Sequence, residues 1–164
     1  SLEALASVHS RGVAHGSLSG ACLLVNTVAV EEAAALRVQL YNFGYAGLPL
    51  LEAAGSGAAL QELQGFREDL FNLGLAFSEL LFPEMAQAGT DFRRVIVDVY
   101  GCNMSAVAEF VQEEEPWGVA LLSERQGAGW ELLRALLAPR DADAAVLQNA
   151  ASQLLSSCFF DDSY

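Results

Sequence analysis

The segment 67–82 constrains the fold more than any other part of the chain. Apolar side chains fall on every face of a helix drawn through it: Leu70, Phe71, Leu73, Leu75, Ala76, Phe77, Leu80, Leu81 and Phe82. Between residues 70 and 82 only Glu79 is charged. A helix that is apolar all round is normally buried, and Pro83 cannot continue a helix. The pattern therefore predicts a buried central helix that ends before Pro83.

The flanking sequence predicts a mainly α fold with a small β-hairpin near the N-terminus. Residues 1–10 have a helical pattern that Gly12 ends. The apolar run 23–25 and the alternating run 34–40 predict two strands joined by a turn. Further helices are expected near 90–100, 104–111, 130–137 and 146–155.

Two segments lack these periodicities. The glycine-rich segment 44–65 predicts a loop. The acidic residues Glu113, Glu114 and Glu115, followed by Pro116, predict a solvated turn. Together the elements indicate a helical bundle around the buried central helix.

Charge excludes several classes of function. The chain has 164 residues, a net charge of −13, eight basic residues that are all arginine, and no lysine. The chain can therefore neither form a lysine Schiff base nor supply the lysine of a phosphate-binding loop. The acidic excess argues against binding to nucleic acid and against binding to anionic membrane surfaces. A neutral or basic protein partner is expected instead.

Cysteine and histidine usage gives no metal site and indicates a reducing, intracellular compartment. Cys22, Cys102 and Cys158 are far apart and form no C-x-x-C pair, as expected of reduced thiols. His9 and His15 have no cysteine partner at zinc-binding spacing. No uncharged run is apolar enough for a transmembrane helix. The chain begins inside an amphipathic pattern, which predicts that it belongs to a longer protein.

Four motifs occur in an informative order. Residues 8–25 read VHSRGVAHGSLSGACLLV, residues 36–44 read LRVQLYNFG, and residues 69–74 read DLFNLG. A tail from GWELL at 129–133 ends at CFF, residues 158–160. In this order they resemble the C-terminal lobe of a protein kinase: the catalytic loop, the metal-binding D-F-G strand, the buried central helix and the last helices.

The resemblance implies one kinase-like C-lobe over 1–164, with 44–65 as a degenerate activation segment. The family's N-lobe, with its glycine-rich loop and ATP-anchoring lysine, would lie outside this chain. The tail also resembles plant and algal plastid kinase-like proteins, which makes a plastid location possible.

The positions that carry the family's chemistry are changed. Phosphoryl transfer needs a catalytic-loop aspartate as base, but the position matches Ser17, whose hydroxyl is neutral at pH 7. The loop lysine matches Ser19. The metal-binding asparagine matches Cys22, whose soft sulfur suits Mg²⁺ poorly. The D-F-G aspartate matches Asn42. The resemblance thus implies a protein without intact catalytic residues.

The positions that carry the family's architecture are kept: His15, Phe43, Gly44, Asp69 and Gly74. In the family the histidine and phenylalanine join a hydrophobic spine, and the aspartate holds the catalytic-loop backbone. The loop arginine is absent because that position is Gly16. The A-P-E motif has no match at 56–59, and its arginine partner falls near Ala142.

Three interpretations remain open. The first is a pseudokinase module that binds an unidentified protein partner, with no cofactor, through 44–65 and the groove near Ser17 and Asn42. The second is an active Ser/Thr kinase in which the amide oxygen of Asn42 holds Mg²⁺ for ATP. The third is an unrelated acidic helical domain in which H-G-S-L and N-F-G are coincidences.

Overall fold

The described part of the chain is mainly helical and contains a two-stranded antiparallel hairpin, as the sequence predicts. The computed structural model describes residues 1–46, 56–137 and 144–160. The helices are α1 (Leu2–His9), α2 (Ser56–Leu81), α3 (Pro83–Gln87), α4 (Met104–Gln112), α5 (Pro116–Leu137) and α6 (Ala144–Leu154), and the strands are β1 (Leu23–Val25) and β2 (Val38–Leu40). Short 3₁₀ turns cover Gly20–Cys22, Val30–Ala35, Phe43–Tyr45 and Cys158–Phe160, and a π-helical turn covers Arg94–Val99.

The chain divides into two compact units. The first unit comprises Ser1–Asp69 and Asp141–Leu155. Within it, α1 packs against α6, and β2 also contacts α1. Its core is formed by apolar side chains from α1, the following loop, α2 and α6: Leu2, Leu5, Ala6, Ala14, Leu18, Cys22, Phe66, Ala150 and Ala151. This core supports the loop and hairpin that carry the predicted site residues.

The hairpin is shorter than its alternating pattern predicts. Its register pairs Leu23 with Leu40 and Val25 with Val38. The predicted strand over 34–40 starts only at Val38, because Val30–Ala35 forms a 3₁₀ turn. Alanine and glutamate, which dominate that turn, are depleted in strands. Asn26 closes the connection, since its amide accepts from the Arg37 N–H at 2.6 Å and donates to the Ala35 carbonyl at 3.1 Å.

Helix α2 begins earlier than the sequence predicts. It starts at Ser56, so the predicted loop over 44–65 is wrong for 56–65, which are helical. Of the rest of that prediction, Gly44 and Tyr45 lie in the 3₁₀ turn Phe43–Tyr45, and residues 47–55 lie outside the described residues. The segment 58–64 contains alanine, leucine, glutamine and glutamate, which favour helix and outweigh the glycines at 57 and 65.

The second unit comprises Leu70–Arg140 and Ser156–Tyr164. Its core is built from the end of α2 and from the helices that follow: Leu81, Phe82, Met85, Phe92, Ile96, Met104, Val107, Val111, Val119, Leu122, Leu133 and Leu137. The all-round burial predicted for 70–82 fails on one side, because Leu80 is 65% exposed. The predicted helix near 90–100 is largely the π-helical turn, and α5 has non-helical dihedral angles at 124–127.

The acidic turn before α5 is only partly solvated. Glu113 and Glu114 are exposed as predicted, but Glu115 is 6% exposed. Its Oε1 accepts hydrogen bonds from the backbone N–H groups of Glu84 and Met85. These N–H groups belong to the first turn of α3, where they have no partner within the helix. Glu115 is therefore a buried cap rather than a solvated charge.

Candidate functional site

Asp69, on α2, anchors the loop that follows α1. Its Oδ2 accepts the His15 backbone N–H at 2.6 Å, and its Oδ1 accepts the Gly16 N–H at 2.9 Å. The Nε2 atom of His9 lies 3.0 Å from the same Oδ2. The side chains of Asp69, His9 and His15 are all fully buried. The carboxylate thus fixes two successive peptide units of the loop from inside the core.

His15 links this loop to the segment after β2. Its Nε2 lies 2.8 Å from the Tyr41 carbonyl oxygen, which can only accept, so Nε2 carries the hydrogen. Its Nδ1 accepts the Ser17 N–H at 3.4 Å. Its ring packs against Phe43, with the centroids 4.6 Å apart. The structure therefore brings the predicted residues His15, Ser17 and Phe43 together.

The loop residues Ser17, Ser19 and Cys22 interact mainly with one another. The Cys22 thiol lies 3.4 Å from the Ser17 carbonyl oxygen and 3.7 Å from the Ser19 hydroxyl. The Ser17 Oγ is buried and has no hydrogen-bond partner within the described residues. These three side chains present hydroxyl and thiol groups and no anionic oxygen. They offer neither a carboxylate base nor an anionic ligand for Mg²⁺.

Asn42 lies at a strained turn immediately before Phe43. Its backbone is left-handed, with φ 65° and ψ 50°, a conformation that asparagine tolerates better than most residues. Its side chain is exposed and lies next to Gly44. Within the described residues no hydrogen bond joins Asn42 to Ser17, Ser19 or Cys22. The structure therefore places Asn42 beside Phe43 and Gly44, but does not bond it to the loop.

Gly16 occupies a position that no larger residue fits. Its φ is +77°, and a Cβ atom added there would lie 2.5 Å from the Tyr45 carbonyl oxygen. An arginine at this position would require both a strained backbone and displacement of Tyr45. The geometry thus gives a local reason for glycine at position 16.

Gly74 belongs to the second unit and has a packing role there. A Cβ atom at Gly74 would lie 2.9 Å from the Leu137 side chain and 3.0 Å from the Cβ of Leu136.

The second unit also contains a cavity of about 350 Å³ between α4 and α5, lined by Cys102, Asn103, Met104, Ser105, Ala108, Trp130, Glu131 and Arg134. Burial raises the pKa of the Cys102 thiol.

Sequence reasoning missed His9, Tyr41 and Tyr45 as members of the site. His9 has a signal, since it falls within the motif at 8–25 and a buried histidine needs a polar partner. Tyr41 and Tyr45 contribute only through backbone carbonyl groups in the contacts described above. A backbone contact depends on tertiary structure and not on residue type, so no sequence signal could identify them.

Across the part of the chain that the structure describes, no three His, Cys, Asp or Glu side chains cluster to form a possible metal site. Within that same part, no helix has the length and apolar character needed to cross a membrane. No protein-family model matches the chain, and no curated protein or solved structure matches it either.

Proposed function

We propose that this chain is a kinase-like C-lobe that does not transfer phosphate and that functions by binding a protein partner. One observation carries the proposal: the buried carboxylate of Asp69 holds the backbone N–H groups of His15 and Gly16. The resemblance assigns this role to an aspartate on the central helix. An architecture of this kind is independent of catalysis and persists when catalytic groups are lost.

The ring contact between His15 and Phe43 supports the same proposal. The two residues are 28 positions apart in sequence, and their ring centroids are 4.6 Å apart. The resemblance implies that these two side chains share a hydrophobic spine. Such a contact stabilises the junction between the loop and the segment after β2 whether or not a nucleotide binds.

The groups around this junction support the absence of phosphotransfer. A kinase needs an aspartate base and anionic metal ligands, whereas Ser17, Cys22 and Asn42 offer hydroxyl, thiol and amide groups. The Asp69 carboxylate, which contacts this loop, is already engaged by two backbone N–H groups. It is therefore unavailable as a base or as a metal ligand.

The thiols and the charge of the chain bear on where it acts and what it binds. The scattered cysteines favour a reducing intracellular compartment, and the tail resemblance favours a plastid. Within the described residues, Cys22 and Cys102 are free thiols. The acidic net charge favours a neutral or basic partner.

The test uses the full-length protein with ATP and Mg²⁺. We expect no increase in the melting temperature on adding ATP and Mg²⁺, and no incorporation of labelled phosphate into the protein or into a basic substrate protein. The variants Asn42→Ala and Ser17→Ala serve as matched controls. ATP-dependent phosphorylation that Asn42→Ala abolishes and Ser17→Ala retains would refute the proposal and favour the active-kinase interpretation.

A separate measurement tests the resemblance itself. The backbone amides of His15 and Gly16 are expected to be well protected from hydrogen exchange, because the buried carboxylate of Asp69 accepts both. Rapid exchange at both amides in the folded protein would instead favour the unrelated helical domain.

A further inference from the structure

We propose that the outer edge of β1 is a docking site for an extended segment of a protein partner, in which apolar residues are flanked by basic side chains. The inference deepens the proposed binding function and rests on it. It does not depend on the kinase resemblance, because it uses only the geometry and charge of the hairpin.

The backbone of β1 has an unpaired edge. Tyr41 donates to the Cys22 carbonyl at 3.0 Å, and Asn26 donates to the Arg37 carbonyl at 3.3 Å. Hydrogen-bonded and non-hydrogen-bonded pairs alternate in an antiparallel ladder, so the Val25–Val38 pair is non-hydrogen-bonded. The N–H and C=O groups of Val25 therefore point away from β2. Within the described residues β1 pairs only with β2.

Apolar side chains flank this edge on both faces of the hairpin. Leu24 and Val25 are each 47% exposed, and successive strand residues point to opposite faces. The connection beyond β1 adds Val28 and Val30, which are 92% and 87% exposed. Unpaired backbone groups next to exposed apolar side chains are the features that an added strand uses for affinity and specificity. An extended segment fits this surface because its backbone can pair with the free N–H and C=O groups while its side chains cover the exposed apolar ones.

The charge around this edge favours a basic partner segment. Glu31 and Glu32 are exposed in the turn that follows Val30, against one basic side chain, Arg37, before β2. The whole chain carries a net charge of −13. A second copy would bring two acidic chains together and is disfavoured by like-charge repulsion. A segment with arginine or lysine beside its apolar residues complements the site.

The probe is a short synthetic peptide with an apolar centre of valine and isoleucine flanked by arginines. One control peptide has glutamates in place of the arginines. The other keeps the arginines and has a proline in the middle of the apolar centre. The readout is the set of backbone amide chemical shifts of the full chain during titration. We expect the arginine peptide to shift the amides of Leu24 and Val25, and the two control peptides to bind about fivefold more weakly or worse.

Two variants separate docking from folding. Val25→Pro removes the outward N–H without removing a hydrogen bond of the hairpin, a placement that an edge strand tolerates. Leu24→Lys places a positive charge beside this edge, where it repels the arginines of the peptide. Leu80→Lys is the control, since Leu80 is also exposed, at 65%, but belongs to the second unit. We expect both hairpin variants to lower the affinity for the arginine peptide about fivefold, with the unfolding midpoint retained in at least one, and Leu80→Lys to leave it unchanged.

Several results would overturn the inference. They are equal binding of the arginine and glutamate peptides, shifts confined to residues outside the hairpin, no binding at millimolar peptide, and dimerisation of the chain that Val25→Pro abolishes. Phosphotransfer activity would refute the proposed function and leave these peptide results unaffected. Loss of peptide binding without phosphotransfer would refute the docking site alone.

Discussion

The carboxylate of Asp69 accepts the backbone N–H of His15 at 2.6 Å across 54 residues of sequence. The same side chain accepts the Gly16 N–H and contacts His9, so one buried group joins α1, the following loop and α2. A buried acceptor is stabilised by such donors and costly to leave without them. This relationship fixes the loop before Ser17 to the core of the first unit.

Asp69→Asn is expected to destabilise the protein by about 2–3 kcal/mol. The substitution keeps the shape of the side chain but turns one acceptor oxygen into a donor that faces a backbone N–H group. Denaturant unfolding measures the loss. Asp98→Asn, at an exposed position, is the control and should change the free energy of unfolding by less than about 0.5 kcal/mol. Similar values for the two variants would contradict the anchoring role.

Gly16→Ala is expected to cost more than a left-handed glycine normally does. Gly89→Ala provides the comparison, because Gly89 has φ +83° and no atom within 4 Å of an added Cβ. It should cost only the backbone strain, about 1–2 kcal/mol. Gly16→Ala adds a contact with the Tyr45 carbonyl, so its midpoint in urea should fall clearly below that of Gly89→Ala. Equal midpoints would show that Tyr45 moves away at no cost.

Glu115→Ala is expected to destabilise the protein by about 1–2 kcal/mol, as the loss of a helix cap does. It leaves the N–H groups of Glu84 and Met85 without their acceptor. Glu115→Gln keeps an acceptor oxygen and should cost less. Glu114→Ala, at an exposed neighbour, should have little effect on the thermal unfolding midpoint. If Glu114→Ala is as destabilising as Glu115→Ala, the capping role is wrong.

Cys102 is expected to react slowly with alkylating reagents in the folded protein. Burial raises the pKa of its thiol, so less of the reactive thiolate is present at a given pH. Mass spectrometry after iodoacetamide treatment should show slower modification of Cys102 in the native chain than in urea. Equal rates in the two states would contradict this expectation.

The raised pKa of Cys102 also makes the stability of the protein depend on pH. The folded state retains the Cys102 proton to higher pH than the unfolded state does. Its contribution is complete below the thiol's ordinary pKa and is lost as the pH rises through the raised value. The free energy of unfolding of Cys102→Ser should therefore fall less over this alkaline range than that of the unchanged protein.

Local sequence patterns predicted most elements and several site residues. The hairpin, α1, α4 and the helix before Pro83 follow from periodicity and from the residues that end helices. The start of α2 at Ser56 was missed, because glycines suggested a loop where the intervening alanine, leucine and glutamate favour helix. The burial of Glu115 was also missed, since its partners are backbone groups of a different helix.

The sequence by itself determined that this is a mainly helical chain with a small hairpin, and that Ser17, Ser19, Cys22 and Asn42 supply hydroxyl, thiol and amide groups and no carboxylate. These features depend on local periodicity and on side-chain chemistry, which residue order specifies directly. Only the tertiary structure decided that Asp69 holds the loop, that Tyr45 leaves no room at Gly16, and that β1 has an open edge. Those features depend on backbone atoms brought together from distant parts of the chain, and backbone atoms are the same in every residue.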